Sequence, residues 1–267
     1  MCLLVLAWRS HARYRLVVGA NRDEYHQRPA APLSTWPPPA GLLAGRDLQA
    51  GGTWLGIDRA RRFGVVTNFR ELQRTRPGAP SRGDLIPSYL AGSAAAAGSH
   101  AGAARFFAAL ERRAHEYSGF NLLLTDAQSL WYGSNRATPF ARELPPGVYG
   151  LSNELLDTPW PKLKRVRAGF EAWLRARQPA QAEELFALLA DRTPAAGALP
   201  ADESALPAEW QRALSAPFVR HPEYGTRCST VLLLDPDGAF DLIERCFDAH
   251  GNPSGETVFH LHAGEWP

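Results

Sequence analysis

Several things are scarce in this chain. Among 29 basic residues only two are lysine, Lys162 and Lys164, and 27 acidic residues leave a formal net charge of +2. Such a balance excludes an electrostatic nucleic-acid surface as the basis of function. Three cysteines, Cys2, Cys228 and Cys246, are an odd number at wide spacing with no C-x-x-C pair, so neither a disulfide framework nor a structural zinc site is expected. No long apolar run occurs. The opening stretch Cys2–Trp8 stops at Arg9 and has no basic segment before it, which is too short for a membrane span and unlike a secretory signal. A cytoplasmic protein without a membrane span is the expectation. G-x-G-x-x-G, P-loop, G-x-S-x-G and H-E-x-x-H patterns are missing from suitable settings, so dinucleotide binding, nucleotide hydrolysis, serine esterase and zincin chemistry have no support.

What is present is 267 residues, 45% of them hydrophobic, enough for one well-buried core. Cys2–Trp8 and Tyr14–Ala20 read as an N-terminal β-hairpin, and Thr53–Asp58 with Phe63–Asn68 as a second strand pair after a Pro-rich loop from Pro29 to Pro39. From Asp84 to Glu116 apolar residues recur at spacings of three and four, the helical period. Alternation returns in Phe120–Thr125, Ser129–Tyr132 and Val148–Leu151. Trp160–Gln178 and Gln181–Arg192 read as amphipathic helices, Thr193–Pro207 as a surface loop, and Thr226–Leu234, Phe240–Phe247 and Thr257–His262 as closing strands. The order of elements does not alternate as a doubly wound parallel sheet would. Two antiparallel sheets covered by helices fit better.

Cys2 is the first candidate for chemistry. Initiator Met removal is favoured before a small residue, and it would place a thiol and a free α-amine on one residue. That amine titrates at about 7.7 to 8 and can take the thiol proton. The competing reading is a small core residue in an apolar strand. Asp23, in Ala20-Asn21-Arg22-Asp23-Glu24 directly after the partner strand, could hold an ammonium or orient the neutral base; a solvated turn with an Arg/Asp pair is the plain alternative. Asn68 and Asn153 each end an apolar run, suited either to stabilising an oxyanion or to turn geometry. Arg227 opens a late strand, where it could lower a thiol pKa, hold a carboxylate, or be a rim charge. His260 and His262 share a strand face, which reads as a solvated face.

Together, Met1-Cys2, Ala20-Asn21-Arg22-Asp23-Glu24, Gly51-Gly52-Thr53-Trp54-Leu55-Gly56, Thr67-Asn68-Phe69-Arg70, Gly119-Phe120-Asn121-Leu122, Tyr149-Gly150-Leu151-Ser152-Asn153, Thr158-Pro159-Trp160-Pro161-Lys162 and Tyr224-Gly225-Thr226-Arg227 resemble the NRDE family, the transport and Golgi organisation protein 2 relatives. The blocks occur in order along the whole chain. The resemblance implies an α+β fold, a four-layer αββα N-terminal-nucleophile hydrolase-like domain over residues 1–267, with two stacked antiparallel sheets between helix layers. It is similar to that of bile-salt hydrolases and penicillin V acylases. It implies Cys2 as the nucleophile after Met1 removal, acting on a non-peptide amide or related acyl compound. Asp23 is then the carboxylate beside the amine, Asn68 and Asn153 oxyanion-side residues, and Arg227 the late-strand arginine. One departure stands out: the acylases carry R-N-x-D where this chain has Ala20-Asn21-Arg22-Asp23. Arg22, flanked by Asn21 and Asp23, is expected on the strand face opposite theirs. No cofactor is required for hydrolysis. The family's link to haem trafficking implies haem as the alternative ligand, with Cys2, Cys228, His26 and His221 as the axial candidates. Substrate choice would rest with loops such as Pro29–Pro39 and Thr193–Pro207.

Overall fold

The computed structural model describes residues 2–38, 41–71, 78–91, 102–176, 181–195 and 206–267, with Cys2 described by its backbone. Two compact units emerge, one of Met1–Gln27, Pro146–Ser152 and Asp157–Glu265, the other of Arg28–Pro145, Asn153–Leu156 and Trp266–Pro267. Each holds an antiparallel sheet with helices, an α+β architecture.

The first unit opens with β1 (Cys2–Trp8) and β2 (Leu16–Tyr25), the expected hairpin, in register from Cys2 opposite Arg22 to Trp8 opposite Leu16. The second unit holds β3 (Ala30–Thr35), β4 (Leu42–Asp47), β5 (Leu55–Asp58), β6 (Phe63–Asn68), helices α1 (Leu85–Ala91) and α2 (Gly102–Glu111), then β7 (Phe120–Thr125), β8 (Leu130–Ser134) and β9 (Ala141–Leu144). The chain returns to the first unit with β10 (Gly147–Leu151), α3 (Pro161–Arg175), α4 (Ala182–Leu189), α5 (Ala208–Leu214), β11 (Tyr224–Leu234), β12 (Phe240–Phe247) and β13 (Pro253–Leu261).

The first unit's sheet has six strands in the order β10-β1-β2-β11-β12-β13. Alternation sends Leu3, Val5 and Ala7 of β1, Val17 of β2, and Val231 and Leu233 of β11 to one face. There they meet Leu163, Val166, Phe170 and Trp173 of α3 and Leu185, Phe186 and Leu189 of α4. Each such apolar side chain contributes about 1.5–3 kcal/mol when fully buried. α3 approaches closely at Gly150 in β10, where a Cβ would lie 2.9 Å from Leu163 Cδ1 and Leu163 would have to shift.

The second unit's sheet has seven strands in sequence order from β3 to β9. Leu42, Ala44, Val66, Phe120, Leu122 and Leu124 pack against Leu85, Ile86, Tyr89 and Leu90 of α1 and Phe107 and Leu110 of α2.

The structure departs from expectation in three places, and part of a fourth expectation lies outside the described residues. The Pro29–Pro39 passage contains a strand, β3, and β4 follows directly. The strands β9 and α5's short helix had no counterpart in the sequence reading. Residues 196–205 of the expected Thr193–Pro207 loop lie outside the described residues. Most important for the site, Asn21-Arg22-Asp23-Glu24 is not a turn leaving the sheet. It lies inside β2, paired with β1 on one side at Asn21 and Arg22 and with β11 on the other along its length.

Candidate functional site

Because β2 is central, its polar end is buried, and each polar side chain needs a partner. Asn21 finds three: its Nδ2 donates to the carbonyls of Leu189 (2.9 Å) and Pro217 (3.0 Å), and its Oδ1 accepts from the Ser229 hydroxyl (2.6 Å). That satisfies its amide as a brace between β2, β11 and the end of α4.

Asp23 shares the Asn21 face and is 2% exposed. Its Oδ1 accepts from the Thr226 hydroxyl at 2.7 Å, and its backbone carbonyl accepts from the Tyr224 hydroxyl at 2.7 Å. The Thr226 oxygen in turn accepts from the Val219 N–H at 2.9 Å, so its proton points to the carboxylate. Burial pushes the Asp23 carboxyl above its ordinary range, opposed by the positive charge of Lys162, the Thr226 hydrogen bond and Arg22.

The Lys162 charge was not anticipated as part of a site. This residue, 3% exposed, lies in the first turn of α3, and its Nζ donates to the Leu214 carbonyl at 2.9 Å. Pro161 at the first helical position fixes where α3 begins and hence where Lys162 points. The available signal was compositional. A chain that otherwise uses arginine keeps lysine at two neighbouring positions, Lys162 and Lys164, of which Lys162 is buried, and a buried lysine sits in a slender space that a guanidinium does not fit in the same way.

Arg22 faces away from Asn21 and Asp23, as alternation requires. It is the register partner of Cys2 on β1 and of Cys228 on β11, and Cys228 is in turn opposite Cys246 on β12. All three cysteines and Arg22 therefore share one rung of the sheet. Arg22 is buried, with a guanidinium nitrogen 4.0 Å from Glu24 Oε2. Asp23 is one residue along β2 from the partner of Cys2.

Arg227 is the residue at which β11 slips register against β2, between Thr226 opposite Asp23 and Cys228 opposite Arg22. Such a bulge re-aims a side chain. Its guanidinium donates to the carbonyls of Tyr25 (3.1 Å) and His26 (3.0 Å), closing the end of β2. Cys2, Asp23 and Arg227 thus belong to one end of the first unit's sheet.

Asn68 and Asn153 belong to the second unit, which brings them together. Asn153 Nδ2 donates to the Asn68 carbonyl at 3.1 Å, and the Arg70 N–H donates to the Asn153 carbonyl at 2.7 Å. The Asn153 segment is held by Asn121, whose Nδ2 donates to the Glu154 carbonyl (3.0 Å). Asn121 Oδ1 accepts from the Tyr132 hydroxyl (2.7 Å), which itself accepts from the Leu156 N–H (3.2 Å). Asn121, singled out only within a sequence block, is a clamp on this segment.

The other thiols differ in character from an activated nucleophile. Burial, and then the Glu244 carboxylate, push Cys228 well above the ordinary thiol range and Cys246 up to about 12. Among the groups offered as haem ligands, His26 Nε2 donates to the His221 carbonyl at 3.0 Å. The His221 ring lies 4.0 Å from that of Trp210, centroid to centroid, and its Nδ1 accepts from the Glu223 N–H. His260 pairs with Asp241 at the exposed edge strand. Among the described residues no cluster of three His, Cys, Asp or Glu side chains could hold a metal ion, and no helix is long and apolar enough to cross a membrane.

The chain is similar to known proteins over most of its length. The profile of the Transport and Golgi organisation 2 family matches residues 1–249. The Transport and Golgi organization protein 2 homolog of Bos taurus is 34% identical over 271 residues, covering 92% of each chain. The Homo sapiens homolog is 32% identical, covering 87% of this chain and 86% of its own. Among solved structures, a Caenorhabditis elegans N-acylethanolamine-hydrolyzing acid amidase ortholog matches 88% of this chain and 93% of its own with a TM-score of 0.35 and 13% identity. On the family profile and the extent of these sequence matches, the chain belongs to the Transport and Golgi organisation 2 family.

Proposed function

We propose that the chain is an N-terminal-cysteine hydrolase acting on a non-peptide amide or a related acyl compound, with Cys2 as nucleophile once Met1 is removed. The observation that supports it is the setting of Asp23. A buried carboxylate is held by Thr226 and faced by the charge of Lys162, one residue along β2 from the register partner of Cys2. A buried carboxylate set in this position is suited to hold the α-ammonium that forms when the Cys2 amine takes the thiol proton.

In this mechanism the Cys2 thiol proton passes to the Cys2 α-amine, and the sulfur attacks the amide carbon. Asp23 stabilises the ammonium so formed. Collapse of the tetrahedral species breaks the C–N bond, the ammonium proton goes to the leaving amine, and a thioester remains, which water hydrolyses with the α-amine again as base. The oxyanion roles of Asn68 and Asn153 rest on the family resemblance alone. Haem carriage is the second reading that the resemblance raises.

Intact-protein mass spectrometry of native material, followed by a panel of N-acyl amides and by haemin titration, tests the proposal. Loss of Met1 with turnover abolished in Cys2→Ala supports it. A chain that keeps Met1 overturns it. A stoichiometric Soret band altered by Cys2→Ala or His221→Ala, without turnover of any amide, replaces it with the carrier reading.

A further inference from the structure

Two cysteines outside the proposed chemistry stand directly opposite one another. β11 and β12 run in unbroken register from Cys228 opposite Cys246 to Leu234 opposite Phe240. The turn that joins them is closed by the Asp235 N–H donating to the Ala239 carbonyl at 2.8 Å, which makes Asp235 and Ala239 a hydrogen-bonded pair. Hydrogen-bonded and non-hydrogen-bonded pairs alternate along an antiparallel ladder. Counting back along the register places Cys228 and Cys246 at a non-hydrogen-bonded site, where Cα atoms lie about 4.5 Å apart and side chains are closest. That spacing is at the short end of the range of about 4.4–6.8 Å that a disulfide spans.

We propose that Cys228 and Cys246 form a reversible cross-strand disulfide, a modification site distinct from Cys2 and independent of the hydrolase reading. The co-reactant is a low-molecular-weight disulfide such as oxidised glutathione. Cys246 is half-buried and Cys228 is buried, which orders the steps. The Cys246 S–H donates to Glu244 Oε1 at 3.7 Å, which holds the thiol protonated, so its proton leaves to hydroxide or buffer before the sulfur attacks. The Cys246 sulfur attacks the small disulfide, forming a mixed disulfide and releasing one thiol. The Cys228 sulfur then attacks the Cys246 sulfur, releasing the second thiol. Two protein thiols are oxidised and one small disulfide is reduced to two thiols. Thiol–disulfide exchange with a reducing dithiol runs the same steps backwards, which makes the bridge reversible. Cys2 is excluded as a partner because β2 lies between β1 and β11, two ladder steps or about 9.6 Å across the sheet.

Both thiols are held protonated, so exchange is slow at neutral pH and accelerates as the pH rises. Closure also removes the S–H that Glu244 accepts, on the sheet face that carries Arg22.

The test incubates reduced, full-length protein with oxidised glutathione at pH 7 and pH 9 and follows intact mass and peptide maps under non-reducing conditions. The expected result is loss of two hydrogens, a linked peptide pair containing Cys228 and Cys246, restoration by dithiothreitol, and a rate about a hundredfold higher at pH 9. Cys2→Ser leaves the bridge intact and Cys246→Ser abolishes it, with far-UV circular dichroism confirming the fold of each. The wild-type mass and peptide map stand alone if a variant does not fold. A persistent glutathione adduct on Cys246, a bridge that includes Cys2, or no bridge under conditions that oxidise the guanidine-unfolded chain overturns the proposal.

Discussion

The Thr226 hydroxyl donates to Asp23 Oδ1 at 2.7 Å, joining residues that are direct register partners on β11 and β2. A carboxylate in mid-sheet is thereby built in by the fold. The same bond fixes which carboxylate oxygen faces Thr226.

The pH dependence of stability follows. Burial raises the Asp23 carboxyl above its ordinary value of 3.8, with Lys162, Thr226 and Arg22 acting in the opposite direction. A carboxyl raised on folding stabilises the fold below 3.8 and loses that contribution as the pH rises through its raised value. Asp23→Asn does not titrate, so its stability relative to wild type should increase from pH 3.5 toward neutrality in urea titrations. A constant difference across that window refutes the assignment. Under the proposed mechanism, acylation of Cys2 slows in the same variant.

Lys162 gives a second prediction. Lys162→Met keeps most of the stem's volume but leaves the Leu214 carbonyl without its donor and Asp23 without that positive charge. A buried group left unsatisfied costs about 1–3 kcal/mol, which the urea midpoint should show. If Lys162 acts only as a volume filler, the variant matches wild type.

Some of this was legible in the chain and some was not. A strand beginning at Cys2 and paired with the run ending near Ala20 follows from the local apolar runs, but the register that sets Arg22 opposite Cys2 does not. The polar run Asn21–Glu24 looked like an exit from the sheet because its partners, Thr226 and Ser229, lie about 200 residues later in the chain; no local pattern shows that polar groups will be met by polar groups. β3 was hidden by Pro32, which a strand tolerates here because β3 is the sheet's edge and its pairing with β4 is irregular between Ala31 and Ser34. α5, at seven residues, is too short to display a helical period. Lys162 was in a quoted block, yet only the packing of α3 shows that its charge reaches Asp23.

Asn153→Ala separates a brace from a bystander. The substitution removes the donor to the Asn68 carbonyl but keeps the backbone carbonyl that accepts from Arg70 N–H. Stability should fall by about 1–3 kcal/mol while the Arg70 amide remains protected in hydrogen exchange measured under native conditions. Loss of that protection would mean that the whole segment after β10 had come away, and that Asn121 and Tyr132 do not hold it.

The last prediction concerns the order in which the thiols react. Cys246 is pushed up to about 12 by burial and by Glu244, and Cys228 is raised well above its ordinary range by the same two causes. At pH 7 a thiol titrating near 12 is ionised in about one molecule in 100,000, against a few per cent for an ordinary cysteine. Iodoacetamide should therefore label Cys246 and Cys228 far more slowly than free cysteine, with rates that climb about tenfold per pH unit through pH 10. Glu244→Gln removes a negative charge beside Cys246 and should speed its labelling without exposing Cys228. Cys2, if its own amine takes its proton, should be labelled first and with a far flatter pH dependence above pH 8. Were Cys246 to react as fast as Cys2 at pH 7, the high thiol pKa would be wrong, and reaction rate would no longer distinguish the nucleophile from the buried pair.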